Sequence, residues 1–153
     1  MTIRPIESRD IEAILAIQQA SPEVAQWTAR DYARVAAGEM AGWVAEENSD
    51  VAGFLAARRT ATELEILNFA VRVDARRRRL GTSLLREALA WGKTFQTEKA
   101  FLEVRASNAA ALRFYELHGF RTTGRRTRYY TAPIEDALLL TADIAALAGN
   151  MQP

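Results

Sequence analysis

Three segments follow one another without a break: L-E-I-L-N-F-A-V-R-V (64–73), D-A-R-R-R-R-L-G (74–81) and T-S-L-L-R-E-A-L (82–89). They read as a strand, an arginine-rich loop and a helix. A helix opening straight out of a strand aims its unpaired N–H groups and positive dipole end at the connecting turn. Such a turn suits phosphate. Arg76, Arg77, Arg78 and Arg79 add guanidinium donors matched to phosphate oxygens. The pattern predicts a phosphorylated carrier as ligand.

Outward from this unit, alternation predicts a short strand over 2–6, and Ser8 is the expected cap of an amphipathic helix carrying Ile11, Ile14 and Leu15. Ser21-Pro22 ends it, and Thr28-x-x-Asp31 predicts a second short helix closing near Gly38. Trp27, between the two, reads either as a core plug or as a pocket wall. The runs 42–47 and 51–58, separated by Asn48-Ser49-Asp50, predict a hairpin with a bulge near Gly53. The run 63–73 is apolar on both alternating faces, as a central strand requires.

Beyond it, a helix over 80–95 places Leu84, Leu85, Ala88, Leu89 and Phe95 on one stripe. A strand over 100–104 is followed by a helix capped at Ser107-Asn108, running to His118 and closed by Gly119. The segments 120–130 and 134–141 flank Thr131-Ala132-Pro133 as a terminal pair of strands. The fold class is α/β with a mixed sheet, in one domain over 1–153, with residues after about 143 expected to fray.

The chain has 153 residues, 49% of them hydrophobic, enough for one buried core. Its net charge is only +1, so the basicity at 76–79 and 121–128 is local and general coating of nucleic acid or a membrane is not expected. Cysteine is absent, which removes disulfides, thiolate metal sites and a covalent cysteine intermediate. With one histidine, no metal site is expected. The opening M-T-I-R-P-I-E-S has no apolar signal core, and a cytoplasmic protein is expected.

The loop Arg76-Arg77-Arg78-Arg79-Leu80-Gly81 after a central strand resembles the pyrophosphate loop of the GCN5-related N-acetyltransferases (GNAT), whose pattern is R/Q-x-x-G-x-G/A. Arg79 stands where that family usually places its first glycine, and a positive φ there is expected to be costly. Leu102-Glu103-Val104-Arg105-Ala106-Ser107-Asn108, Phe114-Tyr115-Glu116-Leu117-His118-Gly119-Phe120, Arg125-Arg126-x-x-Tyr129-Tyr130 and Glu135-Asp136-Ala137 narrow the resemblance to the RimI type, which acetylates the N-terminal alanine of a small-subunit ribosomal protein. The resemblance covers roughly 63–140. It implies a GNAT fold and acetyl-CoA as co-substrate. Phe69, Ala70 and Val71 would then offer backbone groups, Arg76 to Thr82 (with Leu80 and Gly81) the pyrophosphate turn, and Asn108 a contact to the cofactor arm.

Acetyl transfer to an amine needs a neutral amine, a stabilised oxyanion and a proton for the departing thiolate. An α-amine, with a reference pKa of about 7.7–8.0 against about 10.4 for lysine, needs only a modest base. The resemblance makes Glu103 that base; from the residues alone it reads as a strand carboxylate or a partner of Arg105. It makes Tyr115 the acid, whereas its helix face with Ala111 and Leu112 also fits a core tyrosine. Asn108 could cap its helix as well. His118 reads as a solvated residue favoured by the helix dipole.

Trp27, Tyr129 and Tyr130 are the candidate walls of an acceptor cleft, with a short loop, 131–134, between the last strands. The expected partner is a protein N-terminus, with a ribosomal protein in view. Three alternatives stay open. They are a GNAT enzyme acting on lysine or a small-molecule amine, a non-catalytic acyl-CoA sensor, and a nucleic-acid module using the arginine loop.

Overall fold

The run 63–71 lies at the centre of the molecule as β4 (Glu63–Val71), with Leu64, Ile66, Phe69 and Val71 packed on the core of one face and Ala70 on that of the other. The computed structural model describes residues 1–150. The other strands are β1 (Thr2–Pro5), β2 (Ala41–Glu47), β3 (Asp50–Arg59), β5 (Lys99–Arg105), β6 (Arg121–Thr131) and β7 (Ile134–Asp143). They form one mixed sheet in the order β1-β2-β3-β4-β5-β7-β6. Only β4 and β5 pair parallel.

The helices are α1 (Ile11–Gln19), α2 (Ala29–Ala36), α3 (Leu80–Thr94), α4 (Ala109–Leu117) and α5 (Ile144–Asn150). Alternation in β3 divides the core between the two faces of the sheet. Leu55 and Ala57 meet Leu84, Leu85, Ala88 and Leu89 of α3, while Phe54 and Ala56 meet Ile14 and Ile17 of α1 and Tyr32 and Val35 of α2. Among the described residues no helix is long and apolar enough to cross a membrane.

The hairpin between β2 and β3 turns through Asn48 (φ 50°) and Ser49 (φ 67°), both left-handed, which matches the twist of the flanking strands. Ala45 pairs with Gly53 but Glu46 with Val51, so the bulge expected near Gly53 falls on its neighbour Ala52. The first helix does not start at Ser8. Residues Ser8–Asp10 form a 3-10 turn in which buried Asp10 accepts the Glu7 amide at 2.8 Å and two hydrogen bonds from the Arg4 guanidinium, also at 2.8 Å. Thr28 and Asp31 cap α2 reciprocally, as expected.

Two expectations about apolar residues fail. Phe95 lies past the end of α3, exposed, with the Arg59 guanidinium 4.1 Å from its ring. The frayed tail after 143 is instead helix α5. It is anchored because Ile144 and Leu147 enter the main core and the Ile144 amide donates to the Glu98 carbonyl at 2.9 Å. Residues 151–153 of that expected tail lie outside the described residues. Leu147→Ala should lower the unfolding free energy by about 2–4 kcal/mol in urea denaturation. Leu117→Ala, at a side chain 72% exposed, should change it by less than about 0.5 kcal/mol.

Candidate active site

β4 carries one residue more than β3 can pair: Ala56 faces Asn68 and Ala57 faces Ile66, so Leu67 is left over as a bulge. A bulge bends its strand. Beyond it β4 leaves β5, and their parallel pairing is confined to Glu63, Leu64 and Glu65 against Lys99, Ala100 and Phe101. The gap is a cleft with two cavities. One, of about 550 Å³, is bounded by Ile66–Phe69, Leu102–Arg105, Trp27, Tyr129 and Tyr130. The other, of about 570 Å³, is bounded by Phe69–Val71, the arginine loop, the start of α3 and one face of α4. Phe69, Asn108, Ala111 and Tyr115 line both.

Asn68, just past the bulge, is buried and belongs to a polar network. Its amide nitrogen donates to the Ala25 carbonyl and the Tyr32 hydroxyl, both at 2.9 Å, and its oxygen accepts the Phe69 amide at 3.1 Å. The Tyr32 hydroxyl donates to Gln18 Oε1, and Gln18 grips Trp27 through both its amide (3.1 Å) and its carbonyl (2.8 Å). The network ties the Ala25–Trp27 loop to β4. Trp27 is therefore both plug and wall: it packs on Tyr32 at 5.3 Å between ring centroids and lines the first cavity.

The four guanidinium groups of the arginine loop are turned in different directions. Arg76 donates to the Val71 carbonyl at 3.0 Å and to Ser21 Oγ at 3.2 Å, strapping the loop to the segment after α1. Arg78 turns away from the cavity to the Asp74 carbonyl (3.2 Å) and Glu47 (3.3 Å). Arg77 and Arg79 line the cavity, and among the described residues neither has an ion pair. Arg79 does take the left-handed conformation, at φ 65°, as does Arg77 at φ 66°. The first bond inside α3 runs from the Ser83 amide to the Arg79 carbonyl at 3.0 Å. Leu80, Gly81 and Thr82 thus present the unpaired amides of a helix start beside the cavity.

Glu103 lies on the wall of the first cavity. It does not pair with Arg105, which is drawn to Glu135 at 3.4 Å and lies 4.2 Å from the Tyr130 ring. Its partner is Arg126 Nε at 2.8 Å. The Glu103 charge, and then a hydrogen bond from the Tyr129 hydroxyl, hold the Tyr129 phenol above its ordinary pKa. Tyr115 is 7% exposed, and burial pushes its phenol well above its ordinary value. It stays protonated at any physiological pH. Its ring packs on Phe69 and Phe120, so the core reading and the cleft reading hold together. Asn108 likewise caps α4 by accepting the Ala111 amide at 3.1 Å while lining both cavities.

His118 is half-buried, with both ring nitrogens engaged. Its Nδ1 lies 2.7 Å from the Phe114 carbonyl, which can only accept, so Nδ1 carries the proton and Nε2 accepts from Thr82 Oγ1 at 2.9 Å. This fastens the end of α4 to the start of α3 along the second cavity.

A family model described as the acetyltransferase (GNAT) family matches residues 9–120. The chain belongs to that family. It is similar to the [ribosomal protein bS18]-alanine N-acetyltransferase of Escherichia coli K12, with 30% identity over 94% of this chain and 98% of that one. The crystal structure of the ribosomal-protein-S18-alanine N-acetyltransferase from Escherichia coli superposes with a TM-score of 0.81 over 94% and 93% of the two chains, again at 30% identity. Ard1 from Thermoplasma volcanium gives 0.81 at 29% identity over 93% and 96%. Arabidopsis thaliana NAA60 in complex with acetyl-CoA, 21% identical, shares the fold with a TM-score of 0.84 over 94% and 98%. The chain is thus an N-acetyltransferase with the GNAT fold, its mixed sheet opened at the parallel strand pair.

Sequence reasoning missed Glu65, Asn68, Arg126 and the Glu23-Val24 pair, which line or brace this GNAT cleft. Signals were present: Arg126 belongs to the Arg125-Arg126-x-x-Tyr129-Tyr130 motif, and Glu65 and Asn68 are polar residues in a largely apolar strand. Glycine relieves left-handed strain that a Cβ imposes. Arg79→Gly should therefore raise the thermal midpoint by about 1–3 °C without ligand. Arg79→Ala, which keeps the Cβ, should raise it by less than about 1 °C.

Proposed function

We propose that this chain acetylates the α-amine of a protein N-terminus, with acetyl-CoA as donor, by direct attack within a ternary complex. The observation that carries the reading is the single cleft with two cavities meeting at Tyr115. The second cavity suits the donor: Arg77, Arg79 and the amides of Leu80, Gly81 and Thr82 would hold the pyrophosphate, and Phe69, Ala70 and Val71 line the path of the thioester arm. The first suits the acceptor, between Trp27, Tyr129 and Tyr130.

Glu103 takes the proton of the α-ammonium, directly or through one water, after Arg126 gives way to the incoming amine. Nitrogen then attacks the thioester carbon, the C–S bond breaks as the adduct collapses, the Tyr115 hydroxyl gives its proton to the departing thiolate sulfur, and the proton shed by the new amide nitrogen restores the phenol through water. The hydroxyl is protonated when the thiolate forms; burial makes it a weaker acid, and the transfer rests on the departing sulfur lying in the same water-poor cleft, where its own basicity rises too. The relatives' names support an N-terminal alanine of a ribosomal protein as the acceptor, and an acceptor of that kind would be met in the cytoplasm. A second reading, a lysine or small-molecule amine, draws on the turn between β6 and β7. Thr131 pairs with Ile134, leaving two residues between the strands and little to cover the acceptor mouth.

Mass spectrometry of peptides incubated with acetyl-CoA and the protein separates the readings. Peptides with free N-terminal Ala or Ser should gain one acetyl group, and an N-blocked lysine peptide should gain none; the reverse outcome removes the proposal. Tyr115→Phe should lower kcat by about 10²–10⁴-fold with acetyl-CoA affinity unchanged. Glu103→Gln should lose most activity near neutral pH and recover as pH passes about 8, where the amine is already neutral. Wild-type rates in both variants would remove the acid and base assignments.

A further inference from the structure

A second carboxylate faces the acceptor cavity and has no part in the chemistry above. Glu65 lies on β4 at the last residue that still pairs with β5, opposite Phe101, two places before Glu103 on the neighbouring parallel strand. Both side chains are mostly buried, at 17% for Glu65 and 18% for Glu103. Each is covered by a guanidinium that is mostly in water: Arg58, 56% exposed, and Arg126, 60% exposed. The two pairs are alike in form, a carboxylate in the cleft wall under an arginine at its mouth. The charge of Glu65 reaches the cleft, since it contributes to raising the Tyr129 phenol.

The Arg58 contact leaves half of the carboxylate open. Nε and Nη2 both approach Glu65 Oε1, at 2.7 and 2.6 Å. Among the described residues Oε2 has no hydrogen-bond partner. A carboxylate accepts at about four lone-pair sites, so a second cation can be seated beside Arg58. The Arg58 guanidinium is mostly in water, so it returns to solvent with little desolvation to undo when another cation takes its place. Strand residues advance about 3.3 Å each. An acceptor whose α-amine rests at Glu103 therefore carries its second or third side chain within reach of Glu65.

Resting on the reading of this cleft as an N-terminal acetyltransferase site, we infer that Glu65 forms a subsite for a cationic side chain, arginine or lysine, at the second or third residue of the acceptor. The site then recognises two positive charges, the α-ammonium at Glu103 and the side chain at Glu65. Arg126 and Arg58 hold the two places when the cleft is empty.

The test is steady-state acetylation of peptides that share an N-terminal alanine and carry Arg, Lys, Gln or Glu at position two or three. At one of these positions the wild type should favour Arg and Lys over Gln by about ten-fold or more in kcat/KM, chiefly through KM. Glu65→Gln should reduce that preference to within about three-fold, chiefly by raising KM for the Arg and Lys peptides. Arg58→Gln, which removes the competing guanidinium, should lower KM for the basic peptides and so tests the subsite even if the Glu65 variant fails to fold. Equal use of Arg and Gln peptides by the wild type, a preference for Glu, or a preference that survives Glu65→Gln would overturn the inference. If no alanine peptide is acetylated, the functional reading itself fails and the subsite with it.

Discussion

The structure depends on a mismatch of one residue between two neighbouring strands. β3 can accept β4 in register only if Leu67 is left out. The strand bends at that point, and its parallel partnership with β5 ends after three residues. In a sheet of this size, parting two central strands would leave backbone groups unpaired and apolar surface exposed. Here the parting is stabilised from both sides. Asn68 fills one side with hydrogen bonds to Ala25, Tyr32 and the Phe69 amide. On the other, α4 lays Phe114 and Tyr115 against Phe69. The cleft is a consequence of strand register, and every candidate residue takes its place from it.

The same register sorts the charges. Glu65 of β4 and Glu103 of β5, before and beside the parting, are acidic and line the first cavity. The chain leaving β4 turns through Arg77 and Arg79 into α3, whose positive end lies on the other side. One sheet opening thus separates a place for a cation from a place for a polyanion. An amine and a phosphorylated thioester could meet only at the shared boundary, where Tyr115 stands.

Much of the fold was legible in the residues. The two-faced apolar run of β4, the stripe Leu84, Leu85, Ala88 and Leu89, the Thr28-Asp31 box and the Asn48-Ser49 turn all follow from periodicity and local hydrogen bonding, and the structure has them. The tail was misread because a seven-residue helix has too little pattern to distinguish from fraying; it is the core contact of Leu147 that fixes it. Within the arginine loop, composition says nothing about direction, so four equal guanidinia were expected where Arg76 and Arg78 are engaged with the protein and Arg77 and Arg79, among the described residues, have no ion pair. The Leu67 bulge is invisible in the sequence, because it depends on how β3 and β4 align. His118 was misread for a related reason: Thr82, its partner, is 36 residues away in the chain.

With acetyl-CoA in one cavity and the peptide in the other, as proposed, both substrates are bound before any bond is made. Initial-rate kinetics with acetyl-CoA varied at several fixed concentrations of an alanine-initiated peptide test this most directly. Intersecting double-reciprocal lines, with no acetylated protein trapped in the absence of peptide, are the expected result. Parallel lines, or an acetyl-enzyme isolated before peptide is added, would contradict it.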